Sequence, residues 1–460
     1  MRSFDRRGFL KVGGGLLLVT ACGEGGANAG PAANDRGDGS SSAPEAGVEP
    51  WAVDPVAFPL GVQAGAAEAD RAVFWSFSVG VSRAVLRIWL DEDFGRAPPL
   101  VEAPVEPRDG FLKASVSGLR AGAVHRYAFF DDARGVRSAE GRLRSAFPPG
   151  LRAPLRLGAT ACTAIGRAPF TPLPRMAARE LDAFCHLGDM SYNDGSVSRA
   201  DYRRDWARIL GNAEYRALLA SVGTYITWDD HEIVDAAALS EATPEQIDDA
   251  KAAFFEALPV PERPERRFWG SYRWGETAEI FVLDVRHERS EAHIVGEAQM
   301  SWLLDALAAS PCVFKVIMTS VPIARLPAIW AAAEESWMRY PEDRARLLDH
   351  LASRGIRGVV FLAGDYHLGA VWRIEDDGPH AGVYEVLCGP GGSDRSQRWA
   401  LAQTNEATRR LFFPEGRIDF CTDRWCATFV TLDPDAGRIR VEIQDGETGE
   451  VLHDATLEVA

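Results

Sequence analysis

The sequence predicts an α/β domain preceded by a small β-sandwich. Three observations carry that reading. Short strand-like runs fill residues 55–148 without any long helical pattern between them. From about residue 153 apolar strands alternate with amphipathic stretches. Several of those later strands end in side chains that bind metals.

The chain begins with an address. "RRGFLKVGGGLLLVTACG" sets Arg6 and Arg7 before a short apolar run, the pattern of a twin-arginine export signal. The run is too short and too glycine-rich to span a bilayer as a stable helix. It resembles a Tat signal, which implies the Tat export machinery as a partner and a periplasmic or exterior location. The closing "VTAC" looks like a lipobox, with Cys22 as the lipidated residue and a lipid anchor as its consequence. Residues 1–22 are therefore expected to be signal and lipobox. Residues 23–50 are small, polar and rich in Pro, Gly and Ser, which gives a flexible tether.

Residues 51–150 read as the β-sandwich. "RAVFWSFSV", "SRAVLRIWLDE", "FLKASVSGL", "VHRYAFF" and "GRLRSAF" have strand character and are separated by turn residues at hairpin spacing. Residues 151–460 read as the α/β domain. Its strands are "LRLGAT", "AFCHLGD", "TYITWDD", "EIFVLDVR", "FKVIMTSV" and "GVVFLAGD". Leucines recur at three and four in "AQMSWLLDALAAS" and "PEDRARLLDHLASRG", which predicts helices. "ATFVTLD" and "RIRVEIQD" bracket "PDAG", a hairpin signal.

Composition narrows the function. The 460 residues are 46% hydrophobic and 25% charged, as in globular proteins. The 50 basic and 66 acidic residues leave a net charge of −16, so a broad nucleic-acid-binding footprint is absent. A small phosphate ester stays admissible, because a bound cation reverses the local field. An exported compartment permits disulfides, and Cys421 and Cys426 are the nearest pair in sequence.

The chemistry sits at strand ends. "LGATAC" ends at Cys162, and "CHLGD" ends at Asp189 with Tyr192 one turn on. "TYITWDDHE" ends at Asp229, Asp230, His231 and Glu232, and "VVFLAGDYH" ends at Asp365 and His367. Strand tips in an open α/β sheet point into one crevice. Taken singly each residue has a plain structural role: a Gly-Asp turn, a helix cap, a buried small thiol, a core histidine. Together these acids would repel one another at a cost of several kcal/mol unless cations neutralise them. The chain lacks a "GxSxG" elbow, so no serine nucleophile is indicated.

"GDMSY", "TWDDHE" and "LAGDYH", in this order, resemble the metallophosphatase superfamily and within it the alkaline phosphatase D (PhoD) family. "FPLGVQAG", "VLDVRHERS" and "RYPEDRARLLDHL" extend the resemblance over most of the chain. It implies an α/β/β/α metallophosphatase sandwich for residues 151–460, with an immunoglobulin- or fibronectin-like sandwich before it. It further implies an exported phosphoric ester hydrolase, in which a metal-bound hydroxide attacks phosphorus in line.

By the same resemblance Asp189 bridges two metals. Cys162, Tyr192 and His367 surround the first, which suits ferric iron, and Asp230 and Asp365 face the second, which suits calcium. Zinc, manganese and magnesium remain open as occupants. His231 would face the phosphoryl group, and Arg286, with Arg289 near it, would hold phosphate oxygens. Against that, Arg286 could simply pair with Asp284 or Asp229.

Four departures from the family pattern stand out. Asp235 and Ala236 replace two asparagines, "SWMRYP" with Met338 and Arg339 loses the Asp of a Trp-Asp-Gly-Tyr segment, Asn193 replaces an acid, and "QAGAAEAD" replaces a Ser-Gly-Asp. Two competing readings remain. One is a catalytically degenerate PhoD-like surface lipoprotein that binds a ligand or partner; the other is a metal-dependent hydrolase of non-phosphate esters.

Overall fold

The computed structural model describes residues 51–235, 242–325, 336–375, 377–413 and 418–458. The export signature, Cys22, the tether and Ala236 lie outside the described residues.

Two large sheets build the frame. In the first, Leu155–Thr160, Ala183–Leu187 and Thr224–Thr227 run parallel, joined in that order. Every residue of the latter two is buried, which is why they read as unbroken apolar runs. Cys426–Asp433, Arg438–Asp445 and Val451–Leu457 extend this sheet antiparallel on one side. The "PDAG" hairpin is formed as its sequence predicts.

The second sheet has Ala278–Val282, Phe314–Met318, Val359–Ala363 and Tyr384–Leu387 in parallel, with antiparallel strands at its flanks. The two sheets share one core: Leu157, Phe184 and Tyr225 from the first cluster with Ile280, Val316 and Val360 from the second.

Helices cover the outer faces. Glu297–Ala309 and Pro341–Ser353 pack Leu303, Leu307, Leu347 and Leu351 against Phe281, Ile317 and Phe361. Strand alternation explains this division, since Ile280 faces the first sheet and the adjacent Phe281 faces the helices. Tyr202, Trp206, Leu218 and Leu219, from Arg199–Leu210 and Ala213–Ser221, belong to the core around the first sheet. Ser198 caps the earlier of these helices by accepting the Asp201 N–H. The fold is mixed α/β with several sheets.

Residues 51–150 do form facing layers, but one layer is shared. A six-stranded sheet containing Ala84–Leu90 and Val124–Asp131 presents Leu86, Ile88, Tyr127 and Phe129 to Ala64, Phe74, Leu112 and Val116. Those partners lie on Val62–Gly65, Arg71–Phe77 and Phe111–Ser117, which join the first large sheet where Gly65 pairs with Thr224. Tyr225 Oη–H donates to the Ala67 carbonyl at 2.7 Å, and Trp75 Nε1–H donates to the Glu256 carbonyl at 2.6 Å. A self-contained sandwich ending at residue 150 is therefore not what the strand pairing gives. The described residues from Trp51 onward fall in one compact unit. Alternation identifies a strand and its two faces but not the neighbour it hydrogen-bonds.

All six described cysteines are unpaired, Cys421 and Cys426 included. The Cys426 thiol instead donates to the Gly389 carbonyl at 3.1 Å.

Candidate metal centre

The loops after four strands converge. Cys162 follows Leu155–Thr160, Asp189 and Tyr192 follow Ala183–Leu187, Asp229 to Glu232 follow Thr224–Thr227, and Asp365 and His367 follow Val359–Ala363. Among the described residues, three overlapping groups have ligand atoms within 4.8 Å of one another: Cys162–Asp189–His367, Asp189–Asp230–His231, and Asp229–Asp230–Asp365. Asp189 links the first two and Asp230 links the last two. Tyr192 Oη adds to the first group, 3.5 Å from Asp189 Oδ2 and 3.4 Å from His367 Nε2. Thus the six residues expected as ligands share one site, and Asp229 joins them.

The backbone there is unusual. Cys162, Asp189, Asp365 and His367 all adopt left-handed conformations, with φ of 58°, 55°, 65° and 52°. Each such residue costs about 1–2 kcal/mol in the absence of compensation. Strain of this kind gathers at ligand clamps. Gly188 (φ +99°) lets the two acidic turns touch, since a Cβ on it would lie 2.6 Å from Asp229 Cβ.

Glu232 ties those turns together. Its Oε2 accepts the N–H groups of Asp189 at 2.9 Å and Asp229 at 2.7 Å. Its Oε1 accepts those of Met190 at 2.5 Å and Ser191 at 3.3 Å. Asn193, the position where an acid was expected, is buried and structural: Nδ2–H donates to the Glu232 carbonyl at 3.0 Å. The acid comes one residue later. Asp194 Oδ1 lies 2.6 Å from His231 Nδ1 and also accepts the Asp235 N–H at 2.9 Å. The His231 ring stacks on Tyr192 with centroids 4.0 Å apart.

Electrostatics favour cations here. Burial, with nearby carboxylates adding, pushes the Cys162 thiol and the Tyr192 phenol well above their ordinary values. Asp189 is also raised, by burial first; His231 opposes this and the neighbouring acids reinforce it. Burial pushes Asp229 up to about 6, with Arg286 opposing. For His231 burial favours the neutral ring, yet Asp189, Asp194 and Asp230 outweigh it and push its pKa up to about 11. His367 moves down through burial, toward the neutral imidazole that a metal needs. Asp189 Oδ1 and Asp229 Oδ2 are buried without a hydrogen-bond partner. Orphaned carboxylate oxygens beside a thiol, a phenol and an imidazole fit bound metal ions.

Arg286 takes the ion-pair alternative. Its buried guanidinium pairs through Nε with Asp229, and Nη2 lies 3.5 Å from Asp230 and 3.7 Å from Asp365. It is thus a counter-cation beneath the carboxylates rather than an exposed phosphate contact. Arg289 Nε–H donates to Tyr340 Oη at 2.7 Å. Met338 and Arg339 lie in the 3-10 turn Trp337–Arg339 and supply no atom to the three ligand groups.

Sequence reading missed two residues, Asp194 and the bridging role of Glu232. Asp194 looks like a turn former in "YNDGS", and Glu232 looks like one more acid in an acidic run.

Residues 157–439 match the PhoD-like phosphatase family. This chain belongs to that family. Among relatives, alkaline phosphatase D of Bacillus subtilis (strain 168) is 24% identical over 381 residues, covering 67% of this chain and 64% of that protein. The PhoD-like chain thus spans somewhat under two thirds of that relative's length. A solved structure of PhoD superposes with a TM-score of 0.75 at 19% identity, over 87% of this chain and 89% of the other. The purple acid phosphatase PPD1 from yellow lupin (Lupinus luteus) seeds superposes with a TM-score of 0.63 at 13% identity, over 86% and 73%. At these identities the likeness concerns the fold.

Proposed function

We propose that this PhoD-like chain is an exported, metal-dependent phosphoric ester hydrolase. The observation that carries the reading is the run of three overlapping ligand groups joined by Asp189 and Asp230, found within the stretch that matches the family. Cys162, Tyr192 and His367 with Asp189 would hold a ferric ion. Asp189, Asp229, Asp230 and Asp365 would hold a harder cation such as calcium. When bound, such cations supply an activated water and neutralise charge at phosphorus.

The chain's own residues supply the rest. Asp194 holds His231 at Nδ1, which leaves Nε2 to deliver a proton to the departing oxygen. Arg286 lowers the cost of gathering Asp229, Asp230 and Asp365. The stacked Tyr192 and His231 rings fix the angle of the acid relative to the ligands.

A polar cleft of 660 Å³, lined by Ser393, Asp394, Arg395 and Trp425 among others, supports room for a second ester arm. It borders the ligand shell, because Ser393 lies close enough to act on the Tyr192 phenol and the Asp394 backbone close enough to act on the His367 imidazole. We therefore place phosphodiesters beside monoesters as substrates. The paired arginines and Cys22 support Tat export and a lipid anchor facing the periplasm or exterior.

The test is a panel of aryl phosphate mono- and diesters, nucleotide diesters, phospholipids and glycerol-phosphate polymers, assayed with wild type and His231→Ala. Turnover that falls roughly 10²–10⁴-fold in the variant at constant metal content is expected. Full metal occupancy without turnover on any ester would instead support the degenerate binding protein.

A further inference from the structure

We propose that Glu232 is a positioning residue that sets the distance between the two metal-binding turns. The inference rests on the metal-centre reading above and goes beyond it, because Glu232 belongs to none of the three ligand groups. Glu232 is 1% exposed and its carboxylate spends both oxygens on backbone donors. Oε2 takes Asp189 N–H and Asp229 N–H, one from each turn; Oε1 takes Met190 N–H and Ser191 N–H. One side chain thereby fixes the bridging Asp189 against the turn that carries Asp229, Asp230 and His231.

The geometry makes the role specific. Asp189 is held in a left-handed conformation at φ 55°, and Gly188 beside it packs against Asp229. Three consecutive N–H groups pointing at one carboxylate are what keeps that turn folded over. Groups that orient metal ligands in this way influence affinity and turnover together. An amide in place of the carboxylate would aim an NH₂ at one of the two donor pairs. Aspartate would keep the charge but fall one methylene short of spanning both turns.

Metal binding by titration calorimetry, metal stoichiometry and steady-state kinetics on Glu232→Gln and Glu232→Asp test this. Both variants are expected to lose about 10–100-fold in metal affinity, with kcat reduced and KM near wild type. A lower denaturation midpoint with unchanged metal affinity would reduce Glu232 to a packing role and overturn the proposal. Full affinity in Glu232→Asp would overturn it too, since charge alone would then suffice.

Hydrogen exchange on the wild-type chain covers the case in which neither variant folds. The amides of Asp189, Met190 and Asp229 should stay protected after chelation of the metals, because Glu232 rather than a cation holds them. Exchange at the rate of open loops once the cations leave would assign the clamp to the metals. A wild-type chain that takes up no cation would overturn the metal centre itself, a result separate from any variant's behaviour.

Discussion

Gly188→Ala isolates the contact between the two acidic turns. At φ +99° a side chain is already strained, and the new Cβ would sit 2.6 Å from Asp229 Cβ, 2.9 Å from Asp229 N and 3.1 Å from Trp228 C. Ordinary contacts between such carbons are about 3.5–4.0 Å, so the turn carrying Asp229 and Asp230 must retreat by about 1 Å. The conformational cost is about 1–2 kcal/mol, and overpacking adds about 1–3 kcal/mol. The sum is a destabilisation of about 2–5 kcal/mol.

The same displacement pulls Asp230 away from Asp189, whose ligand atoms lie within 4.8 Å of one another. Metal affinity should therefore fall with stability. Gly166→Ala is the control, because a Cβ there meets nothing within 4 Å and the backbone is not left-handed. It should be neutral or stabilise by up to about 1 kcal/mol. Urea denaturation and metal titration of both variants give the comparison. Equal midpoints and equal metal affinity for the two would refute the reasoning.

Three further outcomes are expected. Asp194→Asn removes the carboxylate at His231 Nδ1; a hydrogen bond to a charged group is worth about 1.5–3 kcal/mol. Because the Asp194 side chain is 42% exposed, about 0.5–1 kcal/mol survives screening, so kcat should drop about two- to fivefold; an unchanged kcat would detach Asp194 from the reaction.

If the Cys162–Tyr192–His367 side holds ferric iron as proposed, the purified protein should show a visible charge-transfer band that Tyr192→Phe shifts or weakens. A colourless, iron-free but fully active preparation would remove the iron and leave the hydrolase.

His186 is buried against Tyr215 at 2.9 Å, and burial pushes its pKa down to about 3 from 6.5. Between those values the unfolded chain binds a proton that the folded chain does not. Stability should then rise with pH across this window, by up to about 1.4 kcal/mol per pH unit from this group. The contribution is complete above 6.5 and lost as pH falls toward 3. His186→Gln should flatten the slope by one proton in urea titrations from pH 4 to 6.5; an identical slope would count against it.

Much of this protein is legible in one dimension. Apolar runs such as "AFCHL" and "VVFLA" must be buried on both faces, so they become central strands whatever lies beside them. Ligand types at the ends of those strands mark the crevice, because chain direction in a parallel sheet sends their tips to one edge. Leucine spacing suffices for the helices that pack over the second sheet.

What the sequence left open depends on distances between residues far apart in the chain. Arg286 could have faced substrate or acid, and only the packing of the loop after Ala278–Val282 against the Asp229 turn buries its guanidinium among carboxylates. Asp194 and Glu232 carry no motif of their own; each acquires its role from a partner across the crevice, His231 for the one and the Asp189 turn for the other. The strands of residues 51–150 likewise announce their faces but not their neighbours, so the pairing of Gly65 with Thr224 emerges only in three dimensions. The sequence by itself determined which groups could bind metal and which segments would carry them. The tertiary structure decided which charges meet, because Coulomb energy and hydrogen bonding depend on separations of a few ångströms that no linear spacing encodes.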